Sequence, residues 1–210
     1  MIKKNLRVLI ITSLVILLPV LLGVILWNKL PQQMPIHWNA SGEVDGWSSK
    51  AFAVFGMPLV MLAVQWLCVC VTQTDPKKKN HSEKMLWLVF WIVPVIGNVI
   101  FAFTYAAALG REVPVEILLP VLLGVVFVVI GNYMPKCRQN YTIGIKLPWT
   151  LSSEENWNKT HRLAGWVWVI GGLVMMASGF VAGFWLALAV TLLMALIPMI
   201  YSYVLHRKGV

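Results

Sequence analysis

A chain of 210 residues that is 59% hydrophobic, with a mean hydropathy of +0.77, has too few polar residues for an ordinary soluble domain. Its formal net charge of +9 is compatible with either nucleic acid or anionic lipid as a partner. The placement of the charges favours lipid, so no direct contact with nucleic acid is predicted. Three cysteines are too few for a disulfide framework.

Six apolar stretches contain no Lys, Arg, Asp or Glu. An α-helix of about 20 apolar residues crosses a bilayer core of about 30 Å, and only helices or closed barrels satisfy their backbone groups there. The sequence therefore predicts an all-α, polytopic membrane protein, with residues 1–210 forming a single bundle of six transmembrane helices. The stretches are 8–27, 51–72, 86–109, 117–131, 163–182 and 184–205.

The first stretch follows three basic residues, as a signal peptide does, but it is too long and lacks a small-x-small cleavage site. We interpret it as a retained span. All but three of the 17 Lys and Arg residues then fall on one side of the predicted membrane. Because Lys and Arg favour the cytoplasmic side, both termini are predicted to be cytoplasmic. The basic residues before span 1 are Lys3, Lys4 and Arg7, and the three exceptions are Lys29, Lys50 and Arg111.

The first connection, residues 28–50, is predicted to be external. Two prolines and two glycines exclude a continuous helix across it, and Gly42–Gly46 has the composition of a tight turn. His37, Glu43 and Asp45 lie in or beside this turn. They are open to two interpretations, a polar turn on the membrane surface or an exposed metal or proton-sensing site.

Five of the six spans contain a proline, which leaves a backbone carbonyl for a neighbour to satisfy. Asn98 and Gln65, the amides inside spans, are predicted to make interhelical hydrogen bonds, although a transport path could also use them. No acid, base or histidine lies inside a span, which disfavours proton-coupled transport and intramembrane catalysis. We therefore predict no enzyme, no catalytic residue, no metal and no cofactor.

The long internal connection, residues 132–162, contains one helix-start signal. Ser152 with Glu155 three residues later has the spacing of a capping box. We predict an interfacial helix that begins there, lies on the cytoplasmic leaflet and leads into the fifth span. Its roles could be to anchor the bundle or to dock a cytoplasmic protein. The helix would pair Glu155 with Lys159 and place on one face Glu154, Trp157 and His161.

Two segments of the chain resemble the SdpI family of bacterial membrane proteins. The external segment is similar to the signature of the DUF1648 region and reads Leu30-Pro31-x-x-x-Pro35-x-His37-Trp38-Asn39-x-x-Gly42-x-x-Asp45-Gly46. The internal segment is similar to the SdpI-type half and comprises Gly131-Asn132-Tyr133-x-Pro135, Asn140-Tyr141-x-Ile143-Gly144-Ile145, Pro148-Trp149-Thr150-Leu151 and Trp157-x-x-Thr160-His161-x-x-x-Gly165.

The resemblance implies a multi-pass protein of the bacterial cytoplasmic membrane that confers immunity to a secreted peptide toxin. It also implies signal transduction, in which the protein holds a cytoplasmic transcriptional repressor at the membrane. A small transporter or flippase of amphipathic peptides or lipids, and a structural scaffold, are the alternatives. The toxin would meet His37, Trp38, Asn39, Gly42, Glu43, Asp45 and Gly46. The repressor would meet Asn140, Gly144, Pro148, Trp149, Thr150, Glu154, Trp157, Thr160 and His161.

Overall fold

A computed structural model describes residues 2–181 and 183–210. Met1 and Ala182, the last residue of the fifth predicted span, lie outside the described residues, as do the side chains of Lys3 and Lys4. Six helices in the described part are long and apolar enough to cross a membrane, which confirms the predicted fold class. They are α1 (Ile2–Ile25), α2 (Met57–Thr74), α3 (Glu83–Ala108), α4 (Val115–Tyr133), α6 (Glu154–Val181) and α7 (Gly183–Arg207), with a short α5 (Pro148–Ser152) before α6.

Large apolar side chains on these helices point away from the protein. Leu14 is 60% exposed, Leu67 63% and Trp185 75%. A soluble protein rarely leaves so much apolar surface in water, whereas lipid chains are its natural surroundings. The chain is therefore a multi-pass membrane protein, and the cytoplasmic location of its termini stays a prediction.

The chain divides into two compact units. Unit 1 is the chain up to Cys70 together with Val89–Glu116, and unit 2 is Val71–Leu88 together with Ile117–Val210. The predicted external segment lies in unit 1 and the predicted internal segment in unit 2. The single bundle over residues 1–210 stays a prediction.

Asn98 makes the hydrogen bond that was predicted for it. Proline has no N–H, so Pro19 leaves the carbonyl of Val15, one turn earlier in α1, without its usual donor. The side-chain Nδ2 of Asn98, on α3, donates to that oxygen at 2.9 Å. An amide of one helix thus replaces the hydrogen bond that a proline removes from another.

The same arrangement is found between α3 and α2. Pro94 leaves the carbonyl of Phe90 free, and Nε2 of the fully buried Gln65 donates to it at 2.8 Å. The predicted interhelical role of Gln65 is therefore also confirmed. Both amides are used to complete the backbone of a neighbouring helix.

In unit 2 an indole performs this function. Pro198 frees the carbonyl of Met194 in α7, and Nε1 of Trp168 on α6 donates to it at 3.0 Å. Three helix-breaking residues are thereby accommodated inside helices that remain continuous.

Helices α4 and α6 approach each other through glycines spaced seven residues apart. A Cβ on Gly172 would lie 2.7 Å from the carbonyl oxygen of Gly124, and one on Gly165 would lie 3.0 Å from that of Gly131. Small residues at these positions bring the two backbones into direct contact, as is common between membrane helices. Gly179 continues the series, because its Cβ would lie 2.9 Å from the carbonyl oxygen of Ile117.

The first connection contains an element that the sequence did not predict. Strands β1 (Gln33–Trp38) and β2 (Val44–Ser49) form an antiparallel hairpin. Only its turn was predicted, because both strands are short and contain Pro or Gly, which obscure a strand pattern. Met34 is fully buried in the core of unit 1 with Val54 and Phe101, so the hairpin is packed against the helices.

The predicted interfacial helix and the fifth span are one continuous helix, α6, and its capping residue lies one position later than predicted. The capping residue is Ser153, whose Oγ accepts the N–H of Asn156 at 3.2 Å, because Ser152 still belongs to α5. From Glu154 the helix is continuous through the fifth span, so the helix predicted to lead into that span is the first part of α6, and the short α5 precedes it. The predicted ion pair of Glu155 with Lys159 is present at 2.7 Å.

Candidate functional site

The hairpin brings His37 and Asp45 together across its two strands. The His37 Nδ1 and Asp45 Oδ1 atoms lie 2.5 Å apart, with the side chains 70% and 44% exposed. Gly46 stands opposite His37, and a Cβ there would lie 2.6 Å from the Cβ of His37. The glycine at this position of the motif therefore makes room for the histidine.

Asn39 and Gly42 shape the turn of the hairpin. Oδ1 of Asn39 accepts the backbone N–H groups of Ser41 at 2.9 Å and Glu43 at 3.0 Å, which is an Asx-type turn. Its Nδ2 donates to the Glu43 carboxylate at 3.1 Å. Gly42 has a φ of 80°, a left-handed conformation that favours glycine. These motif residues fold the turn and leave its carboxylates at the surface.

The hairpin presents a small polar surface flanked by tryptophans. His37, Glu43, Asp45 and Trp47 are exposed, and Trp38 is half-buried. Among the described residues no three His, Cys, Asp or Glu side chains are grouped to hold a metal ion. The arrangement is suited to contact a partner through charge and aromatic stacking.

Lys50, at the end of the hairpin, has a structural role that sequence reasoning missed. It is only 7% exposed, and its Nζ donates to the carbonyl oxygens of Trp27 and Leu30, both at 3.1 Å. The ammonium also lies 4.7 Å from the Trp27 ring centroid. Both carbonyls belong to the turn that follows α1, so the buried cation satisfies that turn and lies near the carboxyl end of the helix, whose dipole favours it.

In the internal segment, Asn140 organises the connection between α4 and α5. Its side chain is buried, and Oδ1 accepts the N–H groups of Thr142 at 2.9 Å and Ile143 at 2.6 Å. Its Nδ2 donates to the carbonyls of Arg138 and Ile143, each at 2.9 Å. Asn140 therefore holds the loop shape from inside.

Trp157 and His161 form a buried stack one turn apart on α6. Their ring centroids lie 4.0 Å apart, and the exposed fractions are 0% and 1%. His161 Nε2 accepts the N–H of Ile145 at 3.0 Å, so the ring is neutral and its Nδ1–H donates to the Trp157 carbonyl at 2.8 Å. Gly144 has a φ of 117° and lies against both rings. The stack fixes the loop to the helix.

The remaining predicted docking residues divide by exposure. Thr150 and Thr160 are fully buried, and Thr160 Oγ1 donates to Asn156 at 3.1 Å. Pro148 and Glu154 are exposed, and Trp149 is half-buried. Four of the nine predicted docking residues therefore reach the surface, namely Gly144, Pro148, Trp149 and Glu154. The other five are buried and support the segment from inside the protein.

A buried polar cluster links the α2–α3 connection to the internal segment. The Asp75 carboxylate accepts from Thr142 Oγ1 at 2.8 Å and lies 3.2 Å from His81 Nε2, with the side chains of Asp75 and His81 at most 1% exposed. Burial raises the pKa of Asp75. Hydrogen bonds from Thr142, Lys77 N–H and Tyr141 N–H, together with the His81 charge, outweigh that and lower the pKa below its ordinary value.

Gln139 extends this contact. Its Nε2 donates to the carbonyls of Thr150 at 2.9 Å and Leu151 at 3.0 Å, and its backbone carbonyl accepts from Asn80 Nδ2 at 2.7 Å. Lys77 Nζ donates to its side-chain oxygen. Sequence reasoning missed this cluster because its members come from connections separated by two spans. The polar residues directly after α2 were the available signal.

Comparison with known proteins confirms the resemblance that the two motifs predicted. The model of the SdpI/YfhL protein family matches residues 136–202, and that of a domain of unknown function, DUF1648, matches residues 14–62. The first contains the buried stack and the second contains the hairpin.

Among characterised proteins, the chain is similar to the immunity protein SdpI of Bacillus subtilis (strain 168). The two are 28% identical over 209 residues, covering 98% of this chain and 97% of the relative. No solved structure gives a significant match. The similarity therefore includes both motif segments and all six spans.

Proposed function

We propose that this chain is an immunity protein of the bacterial cytoplasmic membrane and protects the cell from a secreted peptide toxin. The proposal rests on the end-to-end similarity to the immunity protein SdpI. The protein would act by binding, without catalysis. Both termini would be cytoplasmic, which places the hairpin outside and the internal segment inside the cell.

The hairpin is the proposed contact for the toxin. It would lie at the outer membrane–water boundary, where an amphipathic peptide first accumulates, and it is held rigidly by the core of unit 1. Its exposed carboxylates suit a cationic peptide and its tryptophans suit an apolar face. Within the motif, Asn39, Gly42 and Gly46 would shape this surface and His37, Glu43 and Asp45 would form it.

Toxin challenge of cells tests this role. Sensitive bacteria expressing the chain should keep their membrane potential under the killing peptide against which SdpI-like proteins protect. His37→Ala and Asp45→Ala should reduce that protection at unchanged protein level. Glu112→Ala, an exposed acid outside the hairpin, is the matched control and should protect fully. Full protection by all three variants would refute the hairpin as the contact.

We also propose that the internal segment docks a cytoplasmic repressor. The exposed Pro148 and Glu154 would make contact, with Trp149 beside them, while the buried stack and Asn140 keep them in place. Signalling would require two states of the protein that differ in affinity for toxin and repressor.

Co-purification tests the docking role. A helix-turn-helix repressor encoded beside the gene should be retained by membranes containing this chain. Glu154→Lys should weaken retention, whereas Glu155→Lys, one residue further along the same exposed turn, should not. Equal retention by both variants and the parent would remove the signalling half of the proposal and leave immunity intact.

A small transporter is not proposed, because the polar span residues that it would use have another role. Asn98 and Gln65 both donate to carbonyls that prolines leave free. Each of these amide N–H groups completes the backbone of a neighbouring helix, which is the interhelical role expected of polar residues inside spans.

A further inference from the structure

A basic cavity of about 310 Å³ lies in unit 2, where the connection between α2 and α3 meets the residues that follow α4. Its walls are formed by the residues just before α3 and by those just after α4. The lining residues are Lys79, Asn80, His81, Ser82, Lys136 and Arg138.

The cavity contains three cations and no carboxylate. Among the described residues, Lys79, Lys136 and Arg138 have no Asp or Glu oxygen within ion-pair distance. Asp75 is engaged behind the wall by His81 and Thr142. Like charges that converge on one cavity repel each other unless an anion occupies it.

The Ser82 hydroxyl adds a neutral donor to the lining of the cavity. Ser82 Oγ accepts the N–H of Met85 at 3.2 Å at the start of α3, which leaves its own hydroxyl proton available to donate. His81 is held behind the wall, where its Nε2 lies 3.2 Å from the Asp75 carboxylate.

We propose that this cavity binds a phosphate group, as an anionic phospholipid headgroup carries it. Arg and Lys are the side chains that recognise phosphate oxygens, and basic pockets at the ends of membrane helices bind such headgroups. The site lies beside the first residue of α3, Glu83, and the last residue of α4, Tyr133, which is headgroup depth. Free phosphate would satisfy the same groups, and the experiment separates the two sources.

Native mass spectrometry of the purified full-length protein measures binding directly. Phosphatidylglycerol should be retained in preference to phosphatidylcholine, which is zwitterionic. Lys79→Gln with Arg138→Gln should weaken phosphatidylglycerol binding about 25-fold, at about fivefold for each basic residue lost. The matched control is Lys78→Gln with Lys208→Gln, which removes two exposed cations that do not line the cavity and should weaken binding clearly less than the cavity pair does.

Unfolding temperatures without lipid establish that both double variants fold like the parent. The unfolding temperature is then measured in inorganic phosphate and in chloride at equal ionic strength. The site is assigned to free phosphate if phosphate raises the unfolding temperature of the parent but not of the Lys79→Gln/Arg138→Gln variant, and if phosphatidylglycerol is not preferred. Equal loss of lipid in the two double variants, or no response to lipid or phosphate, overturns the proposal and leaves only a diffusely basic surface.

Discussion

The side-chain amide of Asn98 lies 2.9 Å from the carbonyl oxygen of Val15, the oxygen that Pro19 leaves without an intrahelical donor. In lipid no water replaces the missing bond, so a side chain of a neighbouring helix has to supply the donor. The asparagine and the proline are therefore one structural feature, although they lie on different helices.

Replacing Asn98 with Ala should destabilise the protein by about 1 kcal/mol, the usual contribution of such interhelical hydrogen bonds. In a Pro19→Ala background the cost should be smaller, because the introduced alanine restores a backbone N–H that can donate to the Val15 carbonyl. Unfolding temperatures in detergent for the four members of this double-mutant cycle provide the test. Additive effects would show that the two residues act independently.

Gly144→Ala should disturb the internal segment. The new methyl group would lie 3.1 Å from the Trp157 ring and close to His161 Nε2, in a backbone with a φ of 117°. Overpacking of this kind costs about 1–3 kcal/mol. Gly110→Ala is the matched control, because its φ is also positive, at 75°, but nothing lies within 4 Å of the added atom. Equal losses of thermal stability would contradict the packing explanation.

Lys50→Met should loosen the hairpin from the turn that follows α1. Methionine fills a similar volume but cannot donate to the carbonyls of Trp27 and Leu30, and hydrogen bonds from charged groups contribute about 1.5–3 kcal/mol. We expect faster hydrogen exchange in β1 and β2 and a lower unfolding temperature. Lys29→Met, which changes an exposed lysine of the same connection, should leave both unchanged.

Asp75 should stabilise the fold in a pH-dependent way. Its folded-state pKa lies below the ordinary value of 3.8, so its contribution is complete above that pH. The contribution is lost as the pH falls further, through the folded-state pKa. To keep the imidazole from contributing, His81→Gln is compared with His81→Gln/Asp75→Asn between pH 7 and pH 3. The difference in unfolding temperature should be constant down to about pH 4 and shrink below.

The six spans and the interhelical roles of Asn98 and Gln65 follow from the sequence, because apolar length and buried amides act through local chemistry. The identity of their acceptors does not follow. Which carbonyl faces an amide depends on the register between helices, and one sequence carries no record of that register.

The candidate site was predicted less completely than the spans. The motif positions were identified, but His161 and Trp157 could not be recognised as buried. The sequence of such a helix is the same whether its aromatic face packs against the protein or lies on the membrane. Asp75 and Thr142 were missed because 67 positions separate them. The hairpin was missed because its strands lack an alternating apolar pattern.

The order of synthesis gives the Val15 carbonyl a further consequence. Its donor, Asn98, lies 83 residues later in the chain, whereas the donors for Phe90 and Met194 precede their acceptors. When α1 is synthesised, the side chain that donates to its Val15 carbonyl does not yet exist. The Phe90 and Met194 carbonyls, in contrast, are synthesised after their donors. The hydrogen bond that completes α1 can therefore form only after α3 has been synthesised, so the first helix of the chain is finished by its third.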